Sequence, residues 1–366
     1  ILSALGGEVA DRVDKADMAQ KLKLADIGAA GVAVVCLAFS SIPVLLISLF
    51  IFGVISALFG PIKYGILPDH LEPRELPAAN AWIEGATFVA ILAGTIAGGL
   101  ASWAGLSVAV FGPVLIGLGV LCWWCSKGIP ATGSAAPDLE IDRNVFRSTW
   151  RLVSELKADS RLWITGLMSS WFWLVGAIML SVLPTMVRDT MGGTEMAITV
   201  YLAVFAISVA IGSGFAAWMS QGRMPLLPAP VGTALMAVFG LDLAFQITGL
   251  TPVATTTSLL EFFSHESTIH IAFDLAGLAI AGAFLVVPTF TAVQHWAPSD
   301  RRARVVAAVN VLSAGLMTIG GAAVAAVQAY PRDFGLRGVV ATCSTSVVSF
   351  CRGEMLCGTV ISSTSG

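Results

Sequence analysis

Three ionisable side chains lie within or at the ends of long apolar stretches of this sequence: Lys63, Glu84 and Asp242. An ionised group at the centre of a membrane-spanning segment costs about 2.5–3.5 kcal/mol or more, so each is a candidate for function. Lys63 and Glu84 end adjacent stretches, and we expect them either to bind a charged ligand or to form a structural ion pair. Asp242 is a possible proton or ion site, with an ordinary polar position near a membrane surface as the alternative.

The sequence gives only weak evidence for catalysis or metal binding. His295-Trp-Ala-Pro-Ser-Asp300 has the His-x4-Asp spacing of an acid/base pair, but it lacks the Gly-rich motif and the soluble α/β domain that such an enzyme needs. Cys122-Trp-Trp-Cys125 closes an apolar run rather than opening a helix after a strand. His265 and His270, with glutamates nearby, are weak evidence for a metal site. We therefore predict no catalytic residues, no metal and no cofactor.

The elements that must position these residues are long apolar segments. Hydrophobic residues make up 56% of the 366 residues and charged residues 12%, and the mean hydropathy is +0.85, whereas a soluble domain has about 25% charged residues. A membrane-spanning helix needs about 20 apolar residues. Stretches of about this length occur at 22–39, 42–62, 78–100, 106–125, 162–187, 196–219, 226–249, 271–293 and 305–328. Because each span must satisfy its own backbone hydrogen bonds, these predict an all-α membrane protein with about nine full spans.

Basic residues are concentrated in alternate connections between these stretches. The segments that hold 15 of the 20 Lys and Arg residues are 8–23, 67–77, 126–161, 220–225 and 295–304. The intervening connections hold only Arg188. The positive-inside rule therefore places the first set in the cytoplasm and residues 250–270 in the periplasm. A net charge of −3 gives no indication of a nucleic-acid partner.

Residues 126–161 form the one long polar connection and divide the chain. The Gly/Pro/Ser-rich part at 128–137 predicts a flexible linker. An amphipathic helix follows, which we expect either on the cytoplasmic membrane surface or packed against the bundle; its apolar positions are Phe146, Trp150, Val153 and Leu156. The predicted division is an N-terminal transmembrane half, the linker, a C-terminal transmembrane half and a tail, at 1–125, 126–161, 162–330 and 331–366.

A weak internal repeat supports two parallel halves. In the first half a charged loop precedes Asn80, and Gly85 follows five residues after it. In the second half a charged loop precedes Asn310, and Gly315 follows at the same distance. Two parallel halves joined by a central cytoplasmic loop match the plan of major facilitator transporters.

The segment Gly7-Glu-Val-Ala-Asp11-Arg12, followed by Lys15, resembles the loop signature of the major facilitator superfamily, Gly-x-x-x-Asp-Arg and then a basic residue. It occupies the expected place, at the cytoplasmic end of the second span. In that position the acid and Arg12 can pair with each other and with a helix end, and so hold the two halves in one conformational state.

Two further motifs narrow the resemblance. Phe59-Gly-Pro-Ile-Lys-Tyr-Gly-Ile-Leu-Pro-Asp-His-Leu71 and Asn80-Ala-Trp-Ile-Glu-Gly-Ala-Thr87 resemble the lysophospholipid transporter family of that superfamily. The match is strongest to the form fused with a glycerolipid acyltransferase and an acyl carrier protein ligase. Segments 239–243, 287–288 and 302–310 fit the same family, so that the resemblance covers roughly residues 2–330. It implies a twelve-span fold that moves lysophosphatidylethanolamine-like lipids from the outer to the inner leaflet of the bacterial inner membrane for reacylation, with the fused enzymes as further partners.

This resemblance gives the candidate residues specific roles. Lys63 would bind the lipid phosphate, and Glu84 would meet an amine or tune Lys63; the structural Lys63–Glu84 ion pair remains the alternative. Asn80 and Asn310 join them as substrate-binding candidates. In one departure from the family, Met179-Leu-Ser181 stands where other members carry an Arg in the first span of the second half.

The two ends of the sequence suggest a fragment. Ile1 lies inside an apolar stretch, so we expect the first span and most of the second to be missing, together with the polar residues that line the path in the first span. No run long enough to span occurs in 331–366, where we expect a shifted reading frame or, alternatively, a soluble tail. Because alternating access requires two complete halves, we expect such a chain not to transport by itself, and transport by the purified 366-residue chain would overturn this expectation.

Three other functions stay open at this point. The chain could transport a different amphiphilic or small solute. It could be a non-transporting scaffold that docks acyl-transfer enzymes through residues 126–161. An integral membrane enzyme is the third possibility, for which the sequence offers no catalytic set.

Overall fold

The structure, a computed structural model, describes residues 2–39, 42–103, 108–142, 144–220, 226, 228–250 and 258–328. Within these ranges every regular element is a helix. The helices are α1 (Leu2–Arg12), α2 (Lys15–Ala38), α3 (Ile42–Gly65), α4 (Leu67–His70), α5 (Leu76–Trp103), α6 (Val108–Ser126), α7 (Val145–Ala158), α8 (Ser160–Thr185), α9 (Glu195–Ser220), α10 (Pro228–Gly249), α11 (Leu259–Phe262), α12 (Glu266–Trp296) and α13 (Arg302–Gln328). The predicted tail at 331–366 lies outside the described residues.

Eight of the described helical segments are long and apolar enough to cross a membrane. Mean hydropathy in their most apolar parts runs from 1.5 to 2.7, and the segments are Ile42–His70, Leu76–Gly99, Val108–Ser126, Ser160–Thr190, Glu195–Ser220, Pro228–Ile247, Glu266–Trp296 and Ser299–Ala326. The remaining predicted stretch, 22–39, falls in α2, whose first half carries Lys21, Lys23 and Asp26. The all-α membrane fold predicted from the sequence is confirmed, and the chain is a multi-pass membrane protein.

Large apolar side chains cover the outside of several of these helices. Phe50 of α3 is 70% exposed and Trp124 of α6 is 71% exposed. Only 6% of the most apolar part of α6 is buried, against 67% of that of α12. Apolar surface of this kind suits contact with lipid tails, whereas α12 is a central packing element.

Contacts within the chain define two compact units. Unit 1 comprises the described residues of Ile1–Pro73, Thr95–Trp163 and Val293–Leu312, and unit 2 those of Arg74–Gly94, Ile164–Ala292 and Ser313–Gly366. The predicted division into two sequential transmembrane halves stays a prediction.

In unit 1, α2 packs against α3 and α6, while α1 packs against α3 and α7. Helix α7 occupies the place of the predicted amphipathic helix, and its buried residues are Ser148, Leu152 and Leu156. Phe146 and Trp150 are 73% and 77% exposed. The helix thus packs against α1 through one face and leaves two aromatic side chains on the other.

The core of unit 2 is apolar and aromatic. Phe88 of α5 lies 6.2 Å from Phe172, 6.0 Å from Trp173 and 6.0 Å from Phe205, measured between ring centroids. Helices α10 and α12 approach closely at Gly232, where a Cβ would lie 2.6 Å from the carbonyl oxygen of Ala281. Glycine at that position therefore lets the two helices, which carry several of the polar residues discussed below, pack backbone to backbone.

Candidate functional site

The turn between α1 and α2 is built around Asp14, which caps α2. Its Oδ1 accepts hydrogen bonds from the backbone N–H groups of Ala16 and Asp17, at 2.8 and 3.2 Å. Its Oδ2 accepts from those of Thr132 and Gly133, at 2.9 and 2.7 Å. Partial burial raises the pKa of Asp14, but these four donors outweigh it, so that the pKa lies below its ordinary value. One carboxylate thus starts a helix and ties the linker to it.

Asp11 lies fully buried at the end of α1 and accepts three hydrogen bonds from the start of α13. The donors are the backbone N–H of Ala303 at 3.0 Å, and the backbone N–H and Nε of Arg304 at 3.1 and 3.0 Å. The first N–H groups of a helix have no partner within it and carry a partial positive charge. Asp11 therefore caps α13 and pairs with Arg304, although the two residues are 293 positions apart in the sequence.

Gly7 explains why α1 can come so close to α13. A Cβ at Gly7 would lie 2.5 Å from Cβ of Ala307 and 2.8 Å from the carbonyl oxygen of Ala303. Any larger residue would push the two helices apart and stretch the hydrogen bonds of Asp11 one turn later. The Gly-x-x-x-Asp spacing thus has a direct physical role in this structure.

Further charged pairs surround Asp11. The ammonium of Lys15, 1% exposed, lies 2.8 Å from Oδ2 of Asp69, and Oδ1 of Asp69 lies 3.2 Å from Nη1 of Arg302. Oε1 of the fully buried Glu8 accepts from Ser148 Oγ at 2.8 Å and from Arg151 Nη2 at 2.5 Å. We call the residues of α1, α2, α4 and α13 in this group the signature cluster: Gly7, Glu8, Asp11, Lys15, Asp69, Arg302 and Arg304.

The structure thus brings together three of the four predicted signature residues. Gly7, Asp11 and Lys15 belong to the cluster, whereas the side chain of Arg12 is exposed and Asp11 pairs with Arg304 instead. The sequence search missed the roles of Glu8 and Asp69. Both were visible as acids inside or beside the quoted motifs, but their partners are distant in sequence.

The predicted substrate residues are divided between the two units. Lys63 belongs to unit 1, and its Nζ lies 4.4 Å from the ring centroid of Tyr64. Glu84 and Asn80 belong to unit 2, and both are buried. Nδ2 of Asn80 donates to Thr291 Oγ1 at 3.0 Å. The roles of Lys63 and Glu84 stay predictions.

Asn310 belongs to unit 1 and is half-buried on α13. A Cβ at Gly60 would lie 2.9 Å from its Nδ2, so its side chain lies against α3. Its role in binding a substrate also stays a prediction.

A second polar group lies in unit 2, between α10 and α12. Asp242 of α10 is joined by His270 and Asp274 of α12, and the three possible ligand atoms lie within 4.8 Å of one another. We call these three residues the Asp–His–Asp site. The sequence prediction had Asp242 alone and placed His270 in a connection, whereas α12 begins at Glu266 and includes it. Asp274 was missed, although it is an acid within a predicted span and lies four residues after His270, on the same helix face.

Comparison with known proteins agrees with this fold and with the signature. The sequence matches the profile of the Major Facilitator Superfamily over residues 1–322. It is 31% identical over 224 residues to the lysophospholipid transporter LplT of Enterobacter sp. (strain 638), an alignment that covers 58% of this chain and 52% of that protein. The similarity to LplT of Pectobacterium carotovorum subsp. carotovorum (strain PC1) is 30% over 234 residues, covering 59% and 52%. The chain therefore spans about half the length of these curated relatives.

The solved structures show the same fold. The crystal structure of the human organic anion transporter MFSD10 (TETRAN) matches with a TM-score of 0.74, at 15% identity, over 95% of this chain and 79% of that one. At this identity the likeness concerns the fold alone.

Proposed function

Because the chain belongs to the Major Facilitator Superfamily, we propose that it is a secondary transporter of lysophospholipids in the bacterial inner membrane. The observation that carries the substrate class is the 30–31% identity to two relatives named lysophospholipid transporters. The motifs at 59–71 and 80–87 support the same substrate. The direction, from the outer to the inner leaflet, and reacylation by acyl-transfer enzymes are further parts of the proposal.

The charge needed to bind a lysophospholipid headgroup would come from α3 and α5. A phosphate needs a cation, and Lys63 stands at the end of an otherwise apolar helix whose only other polar groups are hydroxyls. Glu84 is buried within a candidate span, where an ionised group is costly and suggests a functional role. In this proposal Lys63 binds the phosphate, and Glu84 meets the headgroup amine or orients Lys63.

The signature cluster would control the transport cycle. Alternating access requires contacts that form in one state and break in another. Separating α1 from α13 would leave the Asp11 carboxylate without its three donors, and breaking a buried ion pair costs about 3–5 kcal/mol. We propose that the cluster stabilises the state in which these helices touch, and that substrate binding offsets this preference in the other state.

The test is uptake of labelled lysophosphatidylethanolamine by proteoliposomes that contain the purified protein. Lys63→Ala should lower uptake by at least about tenfold, roughly 1.4 kcal/mol in transition-state binding, while protein yield stays normal. Lys127→Ala is the matched control, because Lys127 is an exposed lysine that also lies over an aromatic ring, that of Trp123.

Two outcomes would count against these assignments. Normal uptake by Lys63→Ala would remove the headgroup role of Lys63. Low protein yield for Lys63→Ala, restored in the double variant Lys63→Ala/Glu84→Ala, would identify a structural ion pair instead. Transport of a different solute without any lysolipid uptake by the wild type would overturn the substrate.

A further inference from the structure

Asp274 is a buried acid without a described donor. The residue is fully buried on α12, and neither of its carboxylate oxygens accepts a hydrogen bond from any residue that the structure describes. Taking a carboxylate out of water is costly unless donors or an opposite charge offset the loss. A buried carboxylate with two open oxygens is therefore a place where a cation can bind.

The charges around this acid favour a cation with more than one positive charge. Neither α10 nor α12 contains a lysine or an arginine. Arg188, which follows α8, is already paired with a glutamate. Glu266, one turn before His270 on α12, is exposed and adds negative charge to the same helix face. With a neutral imidazole at His270, the two aspartates of the Asp–His–Asp site carry two negative charges, which a divalent cation would neutralise.

The ligand atoms of the site lie at separations close to those around a metal ion. Nε2 of His270 lies 3.1 Å from Oδ2 of Asp242 and 3.8 Å from Oδ2 of Asp274. Zinc binds nitrogen and oxygen at about 2.0–2.2 Å, so the ligands of a tetrahedral site are about 3.3–3.6 Å apart. Small side-chain rotations are enough to close the site around an ion, and the two open oxygens of Asp274 can supply two of its four ligands.

We propose that the Asp–His–Asp site binds a divalent transition-metal ion of the Zn²⁺ type, and that this ion joins α10 to α12. The side chains of His270 and Asp242 are 39% and 43% exposed, so that an ion can reach the buried Asp274 past them. The sequence alone predicted no metal, because only the fold brings Asp242 to the pair on α12. The proposal goes beyond transport and does not depend on it.

Gln246 holds the histidine ring from its other side. Nε2 of Gln246 lies 3.0 Å from Nδ1 of His270. An amide presents a donor or, once turned over, an acceptor, so Gln246 can hold the ring in either tautomer. With the metal on Nε2 of His270, Nδ1 carries the proton and donates it to the amide oxygen. Metal-bound histidines are usually oriented by such a hydrogen bond from the second ring nitrogen.

The ligand set favours a transition metal over the other divalent cations that are common in cells. An imidazole nitrogen suits Zn²⁺, Fe²⁺ and Ni²⁺. Ca²⁺ takes about 6–8 oxygen ligands, and Mg²⁺ keeps several of its waters. His270 therefore provides the selectivity of the site, and the two aspartates provide the charge.

Equilibrium dialysis of the purified protein against Zn²⁺ tests the site directly, with the affinity tag removed and the metal counted by mass spectrometry. The wild type should bind one Zn²⁺ per chain at this site, and an excess of Ca²⁺ or Mg²⁺ should not displace it. His270→Gln and Asp274→Asn should each weaken this binding by at least about tenfold, since even residues that only orient a metal ligand are worth about 10–100-fold in affinity. Absence of Zn²⁺ binding by the wild type, or equal binding by both variants, would overturn the proposal.

Two matched controls separate this site from other residues of the same types. His265 and Asp189 are exposed and belong to unit 2, as the site does. His265→Gln and Asp189→Asn should bind Zn²⁺ as the wild type does. A loss of binding in His265→Gln as large as that in His270→Gln would place the ion elsewhere and contradict the proposal.

X-ray absorption at the zinc edge identifies the ligands. We expect nitrogen and oxygen neighbours alone, at about 2.0–2.2 Å. A sulfur neighbour at about 2.3 Å would place the ion at cysteines, of which Cys122 and Cys125 are free and exposed, and would overturn the assignment.

Melting curves show whether the ion stabilises the fold. In metal-free buffer Asp274→Asn should melt close to the wild type, because it loses no hydrogen bond to a described residue. Zn²⁺ should raise the melting temperature of the wild type but not that of Asp274→Asn, since a ligand that binds only the folded state stabilises it. An equal rise in both would contradict the site. Neither binding nor melting involves transport, so a failure here leaves the proposed function intact, and a failure of lysolipid transport leaves the metal site intact.

Discussion

Asp11 in the signature cluster and Asp274 in the Asp–His–Asp site are both fully buried aspartates, yet their surroundings are opposite. Both oxygens of Asp11 are occupied by donors from α13. Neither oxygen of Asp274 has a donor among the described residues. Equal burial thus occurs with donors on both carboxylate oxygens in one region and, among the described residues, with none in the other.

This difference separates two uses of a buried acid. Burial raises the pKa of Asp11, and the donors of α13 oppose that rise because they favour the ionised form. The carboxylate of Asp11 is therefore a structural part of the contact between α1 and α13. For Asp274 a possible counter-charge is the ring of His270, whose Nε2 lies 3.8 Å from Oδ2 of Asp274 and whose charge depends on its protonation.

The largest effect is expected for Asp11→Asn. The amide would keep one acceptor but place N–H groups against the donors of Ala303 or Arg304, and would remove the carboxylate that pairs with the guanidinium of Arg304. We expect the free energy of unfolding to fall by about 3 kcal/mol or more, seen as a lower melting temperature and lower yield of the purified protein. A stability equal to that of the wild type would contradict the assigned contacts.

The same substitution at the other buried aspartate sharpens the comparison. Asp274→Asn removes a buried charge without removing a hydrogen bond to any described residue, so stability should stay within about 1 kcal/mol of the wild type or rise. The melting temperatures of the two Asn variants, measured side by side, provide the contrast. A loss of stability as large as that of Asp11→Asn would show that Asp274 is ionised and partnered in the resting protein.

Gly7→Ala tests the close approach of α1 and α13. The added methyl group would overlap Ala307 and the carbonyl oxygen of Ala303, and overpacking of this kind costs about 1–3 kcal/mol. Gly28→Ala in α2 is the matched control, because a Cβ there meets nothing within 4 Å and should stabilise the helix by up to about 1 kcal/mol. Equal melting temperatures for the two variants would exclude the tight contact.

The smallest effect is expected for Asp14→Ala. Loss of a helix N-cap costs about 1 kcal/mol. Because the pKa of Asp14 lies below its ordinary value of 3.8, its contribution is present above pH 3.8 and is lost as the pH falls through the lower pKa of the folded protein. The variant should therefore differ from the wild type at neutral pH and converge with it in acid. Asp17→Ala, which removes only an exposed pair with Lys21, should cost about 0.3–0.5 kcal/mol.

Sequence reasoning recovered the fold because hydropathy and helix length determine which segments can span a membrane. It also named Gly7, Asp11 and Lys15 through their resemblance to the loop signature, whose spacing fits one helix end and the turn after it. It could not find Arg304 as the partner of Asp11, since nothing local links residues 293 positions apart.

Asp274 was missed for a different reason. The sequence shows an acid inside an apolar run, as at Asp242, but only the packing of α10 against α12 reveals that the two acids share one histidine. The sequence rule that intramembrane acids are functional candidates would have found Asp274 had it been applied to every predicted span. The predicted roles of Lys63 and Glu84 depend on a bound lipid and stay predictions.

Transport of lysolipid by the purified protein is the most direct measurement. Labelled lysophosphatidylethanolamine in the outer leaflet of proteoliposomes should become protected from extraction by albumin at a rate proportional to the amount of protein. Labelled diacyl phosphatidylethanolamine should stay in the outer leaflet. We predict this protection for the wild type and for Gly28→Ala, and its loss in Lys63→Ala; protection by the wild type would also show that the expectation of a transport-incompetent chain was wrong. Protection no faster than in protein-free liposomes, with protein that is folded by its melting curve, would contradict a lysophospholipid transporter.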